Sequence, residues 1–453
     1  MQDLTTVDFL CLLEVDEGDW TWTRSWLDEK KERRLVFINS QAAFLDHRQV
    51  KSKWIDSPLQ IEPLAKEVAW EAVFLKMEII GGKGGMSLAF RKELEKAHTA
   101  ANLLLSDAAD WGCSVAKHSY LRGKRRVRQG MKLTGAFPNV PAIIVGAGPS
   151  LEKNGHLLEG CRDQALIFAG GGALNAIQTE PHFAAAIDKE APYREFKRHP
   201  FSETPFCFQS RMNPDNFSLV HGEAILFPDS HFQFLNEGKG FDGGWTVGTF
   251  LVALATLMGC DPIVLVGMDY CYSAGRKYAG GGELGESNLV EAVAADGSKV
   301  LTQTDWLMAR HWMEEWAAKH PERRFFNGTE GGMGFLSPIR AVQLGEIEFE
   351  QKENLRERVY NAVASLPFHA PVDWENWKES LERCGQIANQ ALFGGEESFE
   401  QESVYESLLL PLWRTWQPVF TRALEFDPHP DKVKINRLLF FNQVIQEHLH
   451  AIE

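Results

Sequence analysis

Gly146-Ala147-Gly148-Pro149-Ser150 follows the apolar run 141–145 and precedes a stretch of helical character. Glycines let a backbone turn tightly and let a phosphate come close to the amides. The start of a helix adds partial positive charge there, and the Ser150 hydroxyl can cap it or donate to an oxygen. These residues suit the holding of a phosphate-bearing nucleotide; a strand-to-helix turn without ligand uses the same types. Leu151 stands where the dinucleotide fingerprint has its third glycine. Gly170-Gly171-Gly172 stand where an acid for the ribose would end the next strand, so the pattern disfavours NAD.

Other loops add candidates. Gly171 and Gly172 clear space beside the first loop, and Asn175 is placed either to contact a base or sugar or to cap a helix. Asp188 ends another apolar run, where it can bind a ribose hydroxyl or a metal ion, or cap a turn. Gly243-Gly244-Trp245-Thr246 opens a second glycine-rich helix start, with Thr246 as the candidate donor. Gly267-Met268-Asp269 ends a further run in an acid. The loop after it carries Tyr272, Arg276, Lys277, Tyr278 and Gly280 to Gly282, phenols and cations suited to closing over a phosphate, or simply a surface loop. Asp296-Gly297-Ser298, Thr302, Thr304 and residues 327–332 bring hydroxyls, acids and glycines.

What must position these loops is an alternation of short apolar runs with helical stretches. Runs at 141–145, 165–169, 183–187, 205–209, 224–227, 262–266 and 324–327 have the composition of buried parallel strands. Residues 246–260 are apolar almost all round, which predicts a helix buried against the sheet. The fold class expected is α/β: a Rossmann-like, doubly wound, mostly parallel sheet over 131–345, with a mixed α/β N-terminal region (1–130) and a helical C-terminal region (346–453). Within the first region, 34–39 reads as a strand, 64–80 as a helix, and 81–85 as a glycine break. Residues 87–130 read as a long helix with a basic end: Lys117, Arg122, Lys124, Arg125, Arg126 and Arg128. That end is either a solvated face or a surface for an anionic ligand or partner. In the last region, 374–392, 402–424 and 432–452 read as helices, with 427–430 a turn.

The formal net charge of −15 argues against general nucleic-acid binding and against adhesion to an anionic membrane. There is no apolar run of about eighteen residues, and acids stand where a secretory leader needs cations. Seven scattered cysteines form no Cys-x-x-Cys pair. A cytoplasmic, reducing setting is expected, with no zinc cluster and no membrane span.

The run from Pro141 to Leu151 resembles the signature of the MptE-like family, which includes the archaeal 6-hydroxymethylpterin diphosphokinase. The family also holds the bacterial motility accessory factors, implicated in decorating flagellin with nonulosonic (sialic-like) acids. Gly243 to Val247, the helix to Cys260, Asp261 to Asp269, Asp296-Gly297 with Thr302, and Asn327 to Gly332 follow in the family's order. The same stretch is similar to bacterial sialyltransferases of the lipooligosaccharide type. In those, two loop tyrosines contact the donor phosphate; Tyr278 falls near one, and Cys271, with Tyr272 beside it, falls at the other. Their catalytic histidine has no counterpart in 294–299, where Asp296 is the nearest ionisable group.

The resemblance implies a nucleotide-dependent transferase. One form is a glycosyltransferase that takes a CMP-linked nonulosonic donor without metal and passes the sugar to a glycan or protein acceptor, with Asp296 or Asp269 as the candidate catalytic base. Another transfers diphosphate from ATP, with Asp188 and Asp269 holding Mg²⁺. A third is a non-catalytic nucleotide-binding or scaffold protein that keeps the fold. Under the enzyme readings Gly146, Gly148, Pro149, Ser150, Gly171, Gly172, Asn175, Asp188, Gly244, Thr246, Tyr272 and Tyr278 bind the nucleotide.

Overall fold

The structure, a computed structural model, describes residues 4–15, 22–39, 49–107, 109–110, 112–123, 125–189, 201, 203–229, 240–273, 275–279, 289–352, 354–424 and 430–453. The chain forms two compact units. One comprises residues 1–111 and 383–445, the other 112–382 and 446–453.

In the first unit β1 (Phe9–Leu13), β2 (Arg34–Ile38), β3 (Val50–Lys53) and β4 (Met77–Gly81) form a parallel sheet in the order β3-β2-β1-β4. β2 is the run expected at 34–39. The helix expected over 64–80 is present only as Ile61–Glu71; Phe74 then turns the chain with φ 60°, and Met77–Gly81 pairs with β1. A short apolar run satisfies both periods, and an open strand edge decides for the strand. The long helix expected over 87–130 is two, Gly85–Asp107 and Cys113–Arg122, the second preceded by Gly112 at φ 78°.

Residues 383–445 do not stand apart as a C-terminal region. Trp416 and Val419 pack with Trp70, Val73, Ala101 and Leu105. Arg422 donates to the carbonyls of Glu71 (3.1 Å) and Val73 (2.7 Å). The units therefore divide the chain differently from the expected 1–130, 131–345 and 346–453, because an amphipathic helix belongs with whichever apolar face it covers. The helices at Trp374–Leu392, Leu410–Leu424 and Pro430–Ile452 match the expected segments closely. Of the turn expected at 427–430, residues 427–429 lie outside the described residues.

The second unit is the Rossmann-like one. Its strands are β5 (Arg128–Gln129), β6 (Ala142–Val145), β7 (Leu166–Gly170), β8 (Phe183–Ala186), β9 (Phe206–Gln209), β10 (Ala224–Phe227), β11 (Ile263–Val266), β12 (Leu289–Val293), β13 (Lys299–Gln303), β14 (Phe325–Asn327) and β15 (Arg340–Ala341). β12 and β13 make an antiparallel hairpin; the rest form one sheet in the order β15-β14-β11-β6-β7-β8-β9-β10-β5, parallel at every described pairing. All seven expected strand runs are in it. Alternate side chains feed two apolar clusters: Ala142, Ile144 and Leu265 point to one, Ile143, Val145 and Val264 to the other. The Val247–Leu257 helix lies in the first cluster, buried from Gly248 to Ala255.

The chain walks outward from β6 to β10 and then returns to place β11 on the other side of β6. That reversal is the switch point of a doubly wound sheet, where a crevice opens at the carboxyl ends of the strands. The loops after β6 and β11 therefore meet. Among the described residues no helix is long and apolar enough to cross a membrane. All seven cysteines are free.

Candidate functional site

Asp269, just after β11, is the point on which the separate loops converge. The amides of Gly146 and Gly148 donate to the carbonyls of Val266 and Gly267, each at 2.8 Å. The Ser150 amide donates to Asp269 Oδ2 (3.1 Å), the Ser150 hydroxyl donates to Oδ1, and the Ser273 hydroxyl donates to Oδ2 (3.3 Å). The later motifs hold the same strand end. The Met268 amide donates to Thr329 Oγ1 (3.2 Å), the Thr302 hydroxyl to the Tyr270 carbonyl (2.6 Å), and the Met333 amide to the Asp269 carbonyl (2.9 Å).

This convergence gives the first glycines a packing reason beside the ligand one. A methyl at Gly148 would lie 2.2 Å from Asp269 Oδ1, and one at Gly146 would lie 2.4 Å from the Gly267 carbonyl oxygen. Asp269 itself is 3% exposed. Burial pushes its carboxyl above the ordinary value of 3.8, against the opposing pull of the Ser150 and Ser273 hydrogen bonds.

Asp269 borders two cavities. One, of 370 Å³, is lined by Gly146, Gly148, Gly171, Gly172, Asp188, Thr246 and Tyr278 among the expected site residues. The other, of 970 Å³, is lined by Pro149, Ser150, Tyr272 and Asp296. Both volumes are of the order found for small-molecule sites, about 300–1,000 Å³. The smaller cavity has the character of an anion site. The first residues of the Val247–Leu257 helix line it, so the positive end of that helix dipole is there. Thr246 caps the helix, accepting from the Thr249 amide at 3.3 Å. Lys277 adds a cation, 5.1 Å from the Tyr278 ring centre and 5.6 Å from that of Trp306.

Several expected residues are placed elsewhere. Tyr272 lines the larger cavity, where its hydroxyl accepts from Gln303 Nε2 (2.6 Å), so the two loop tyrosines do not share one pocket. Gly244 lines neither cavity; its φ of 65°, and Thr249 and Trp312, which a methyl there would strike at 2.7 and 2.9 Å, make it a turn residue. Asn175 also lines neither, and its buried Oδ1 has no hydrogen-bond partner among the described residues. Asp296 is exposed in the β12–β13 turn. It accepts from the Ser298 hydroxyl (2.6 Å) and amide (2.9 Å), which hold its carboxyl below the ordinary range and make it a weaker base than Asp269. Arg276 is bound bidentately by Glu152 (2.7 and 3.0 Å) rather than held for a phosphate. Gly280, Gly281 and Gly282 lie outside the described residues.

Asp188 and Asp269, the expected metal pair, do line one cavity. Among the described residues no group of three or more His, Cys, Asp or Glu side chains is placed to hold a metal ion. The basic segment is not simply a solvated face. Arg122 is buried, Arg125 donates to the carbonyls of Val220 (3.1 Å) and Gly222 (3.3 Å), and Arg128 pairs with Glu223 (2.9 Å). Lys124 lies outside the described residues. Trp245, Tyr270 and Trp306 line the smaller cavity and were not legible as site residues. The signal for Trp245 was its place inside a glycine-rich helix start; Trp306 offered only its place after Thr304.

Residues 121–275 match the model of the family described as 6-hydroxymethylpterin diphosphokinase MptE-like. The solved structure of the MAf glycosyltransferase from Magnetospirillum magneticum AMB-1 is similar over 98% of this chain and 78% of that one, with a TM-score of 0.57 at 16% sequence identity. At that identity the likeness shows the fold, and it agrees with the α/β architecture described above. No curated protein matches the chain. The matched stretch runs through β6 to β11 and past Asp269, so the similarity to the MptE-like family takes in both loops of the switch point.

Proposed function

We propose that the Rossmann-like unit is a glycosyltransferase that uses a nucleotide-activated sugar of the CMP-nonulosonic type and a glycan or protein hydroxyl as acceptor. The observation that carries this reading is Asp269: a buried carboxylate with a raised pKa on the border of two cavities. The donor phosphate takes the smaller cavity, at the helix start beside Lys277 and Tyr278. The acceptor takes the larger one. Asp269 accepts the acceptor's hydroxyl proton as that oxygen attacks the anomeric carbon. The bond from that carbon to the phosphate oxygen breaks, and the electron pair leaves with CMP. The helix dipole and Lys277 stabilise the charge that develops there. The shared fold with a glycosyltransferase is in keeping with this assignment.

Diphosphate transfer from ATP is the second reading, favoured by Asp188 and Asp269 lining one cavity. Its Mg²⁺ fits poorly. Beyond that pair, no group of three or more His, Cys, Asp or Glu side chains is placed to hold an ion among the described residues, and Asp269 already accepts three hydrogen bonds.

Calorimetry on the full chain with CMP, CDP, UDP and ATP, each with and without Mg²⁺, tests the assignment. CMP should bind without metal, and Lys277→Ala should weaken it about tenfold, as expected for a charge-assisted contact. Binding of ATP alone, and only with Mg²⁺, would move the conclusion to the second reading. Binding of none of the four would overturn both, and CMP binding without sugar transfer to any acceptor would leave the non-catalytic reading.

A further inference from the structure

At the amino-terminal edge of the large sheet, the end opposite the switch point, lies a cavity of 630 Å³. Residues just ahead of β8, β9 and β10 and one face of the Leu355–Ala364 helix form its walls. Five arginines (Arg125, Arg126, Arg128, Arg162 and Arg356) line it against three glutamates (Glu180, Glu203 and Glu223). That is a local surplus of positive charge in a chain of net charge −15. Part of it is neutralised. Glu223 pairs with Arg128 at 2.9 Å, and the one carboxylate of Glu180 is shared between Arg162 (3.2 Å) and Arg356 (3.3 Å). Arg162 also faces Glu159 (3.6 Å), so the charge left over lies on Arg356, which shares Glu180, and on Arg126, whose guanidinium is 3.7 Å from the centre of the Phe368 ring.

Two neutral donors complete the lining. His182 Nδ1 accepts from the Ile167 amide (3.0 Å), which places the ring proton on Nε2. Burial, then Arg162 and Arg356, push His182 down to about 4, so it is neutral at neutral pH. Thr204 is 3% exposed, and its hydroxyl has no hydrogen-bond partner among the described residues. Buried hydroxyls are seldom left so without a ligand or water to meet them. At the mouth, Tyr360 stands one helical turn from Arg356 and is 70% exposed, an uncovered ring on the wall of a cationic cavity.

We propose that this cavity is a second ligand site, separate from the switch-point clefts, for a small phosphate-type oxyanion carried on a flat ring. Arg162 and Arg356 receive the oxyanion, joined by Arg126, while Thr204 and His182 donate to its oxygens. The Tyr360 ring covers the ligand's flat face. The assignment goes beyond the transferase reading and does not depend on it.

Calorimetry on the full chain with phenyl phosphate, inorganic phosphate and phenol tests it. Phenyl phosphate should bind at one site per chain, inorganic phosphate more weakly, and phenol not at all. Arg356→Gln should weaken phenyl phosphate about tenfold, and Tyr360→Ala should bring it down to the level of inorganic phosphate. Both side chains are largely exposed, at 76% and 70%, so neither change threatens the fold. Thr204→Val should weaken both phosphates alike, and Lys277→Ala should change nothing. No heat from either phosphate overturns the site. So does binding that survives Arg356→Gln but is lost in Lys277→Ala, which places the anion at the switch point instead. Equal binding of the two phosphates, with Tyr360→Ala silent, overturns the ring.

Discussion

Ser150 and Asp269, 119 residues apart in the chain, are joined twice, once through the serine amide and once through its hydroxyl. The pair ties the end of β6 to the end of β11 across the point where the strand order reverses. A carboxylate held by fixed donors loses little freedom when it acts, which is what preorganisation of a catalytic base requires. The same bonds draw the loop backbone so close that Gly148 has no room for a side chain.

The closeness of Gly148 to Asp269 can be measured as a coupling. Gly148→Ala should destabilise the protein by about 1–3 kcal/mol, the usual cost of overpacking a filled site. In an Asp269→Ala background the closest clash, with the carboxylate, is gone and the one with the Gly267 carbonyl oxygen at 2.7 Å remains, so the cost should fall by at least about 0.5 kcal/mol. Urea unfolding of the four proteins gives the difference directly. An equal cost in both backgrounds would show that Gly148 serves some purpose other than clearance for Asp269.

How much of this was legible depends on what each residue had to face. Seven strands of the large sheet were readable because strands buried on both faces are nearly continuous apolar runs. β5 and β15 are two residues each, and β3, Val50-Lys51-Ser52-Lys53, is a polar edge strand, so neither kind carries a readable period. Residues 64–80 satisfied a helical period until Phe74, where tertiary pairing with β1 took over. At the site, Asp269 and the glycines were visible as types at the ends of apolar runs. Their mutual contact was not, since it joins loops far apart in sequence. Tyr272 and Tyr278 sit close together in one loop, yet they face different cavities, which spacing alone does not decide.

Asp269 and Asp296 predict opposite behaviour in acid. A base must be ionised, so with Asp269 in that role the transfer rate should rise with pH through a limb lying above 3.8, because burial raises its pKa. Asp269→Asn should lower the rate by about 10²–10⁴-fold, while Asp296→Asn should leave both rate and limb in place. A rate that stays flat down to 3.8, and that Asp296→Asn abolishes, would transfer the role to Asp296, whose hydrogen bonds to Ser298 lower its pKa. Stability runs the other way with pH. Between the ordinary value and the raised one, the folded chain binds more protons at Asp269 than the unfolded chain does. Its contribution is therefore most favourable below 3.8 and declines as pH rises through the raised value. Urea unfolding across that range should show Asp269→Asn gaining on the parent as pH rises.

Arg122 and Lys117 lie on one short helix, and they carry the same charge into opposite surroundings. Lys117 is exposed. Arg122 is 7% exposed, donates to the Ser210 carbonyl (3.1 Å) and the Ser119 hydroxyl (2.7 Å), and lies 5.2 Å from the centre of the Phe208 ring. Burial lowers its pKa to about 10, which still leaves it charged at neutral pH. Removing it strips a buried carbonyl and a hydroxyl of their donor. Arg122→Ala should therefore cost about 1.5–3 kcal/mol, the range for hydrogen bonds to a charged group. Lys in its place should recover less than half, because an ammonium cannot reproduce the guanidinium fork or its stacking. Lys117→Ala should stay within about 0.5 kcal/mol of the parent. Urea midpoints of the three variants decide the matter. If Arg122→Ala is as mild as Lys117→Ala, the segment is a solvated basic face after all, and the hydrogen bonds from Arg122 to Ser210 and Ser119 contribute nothing to holding the helix on the sheet.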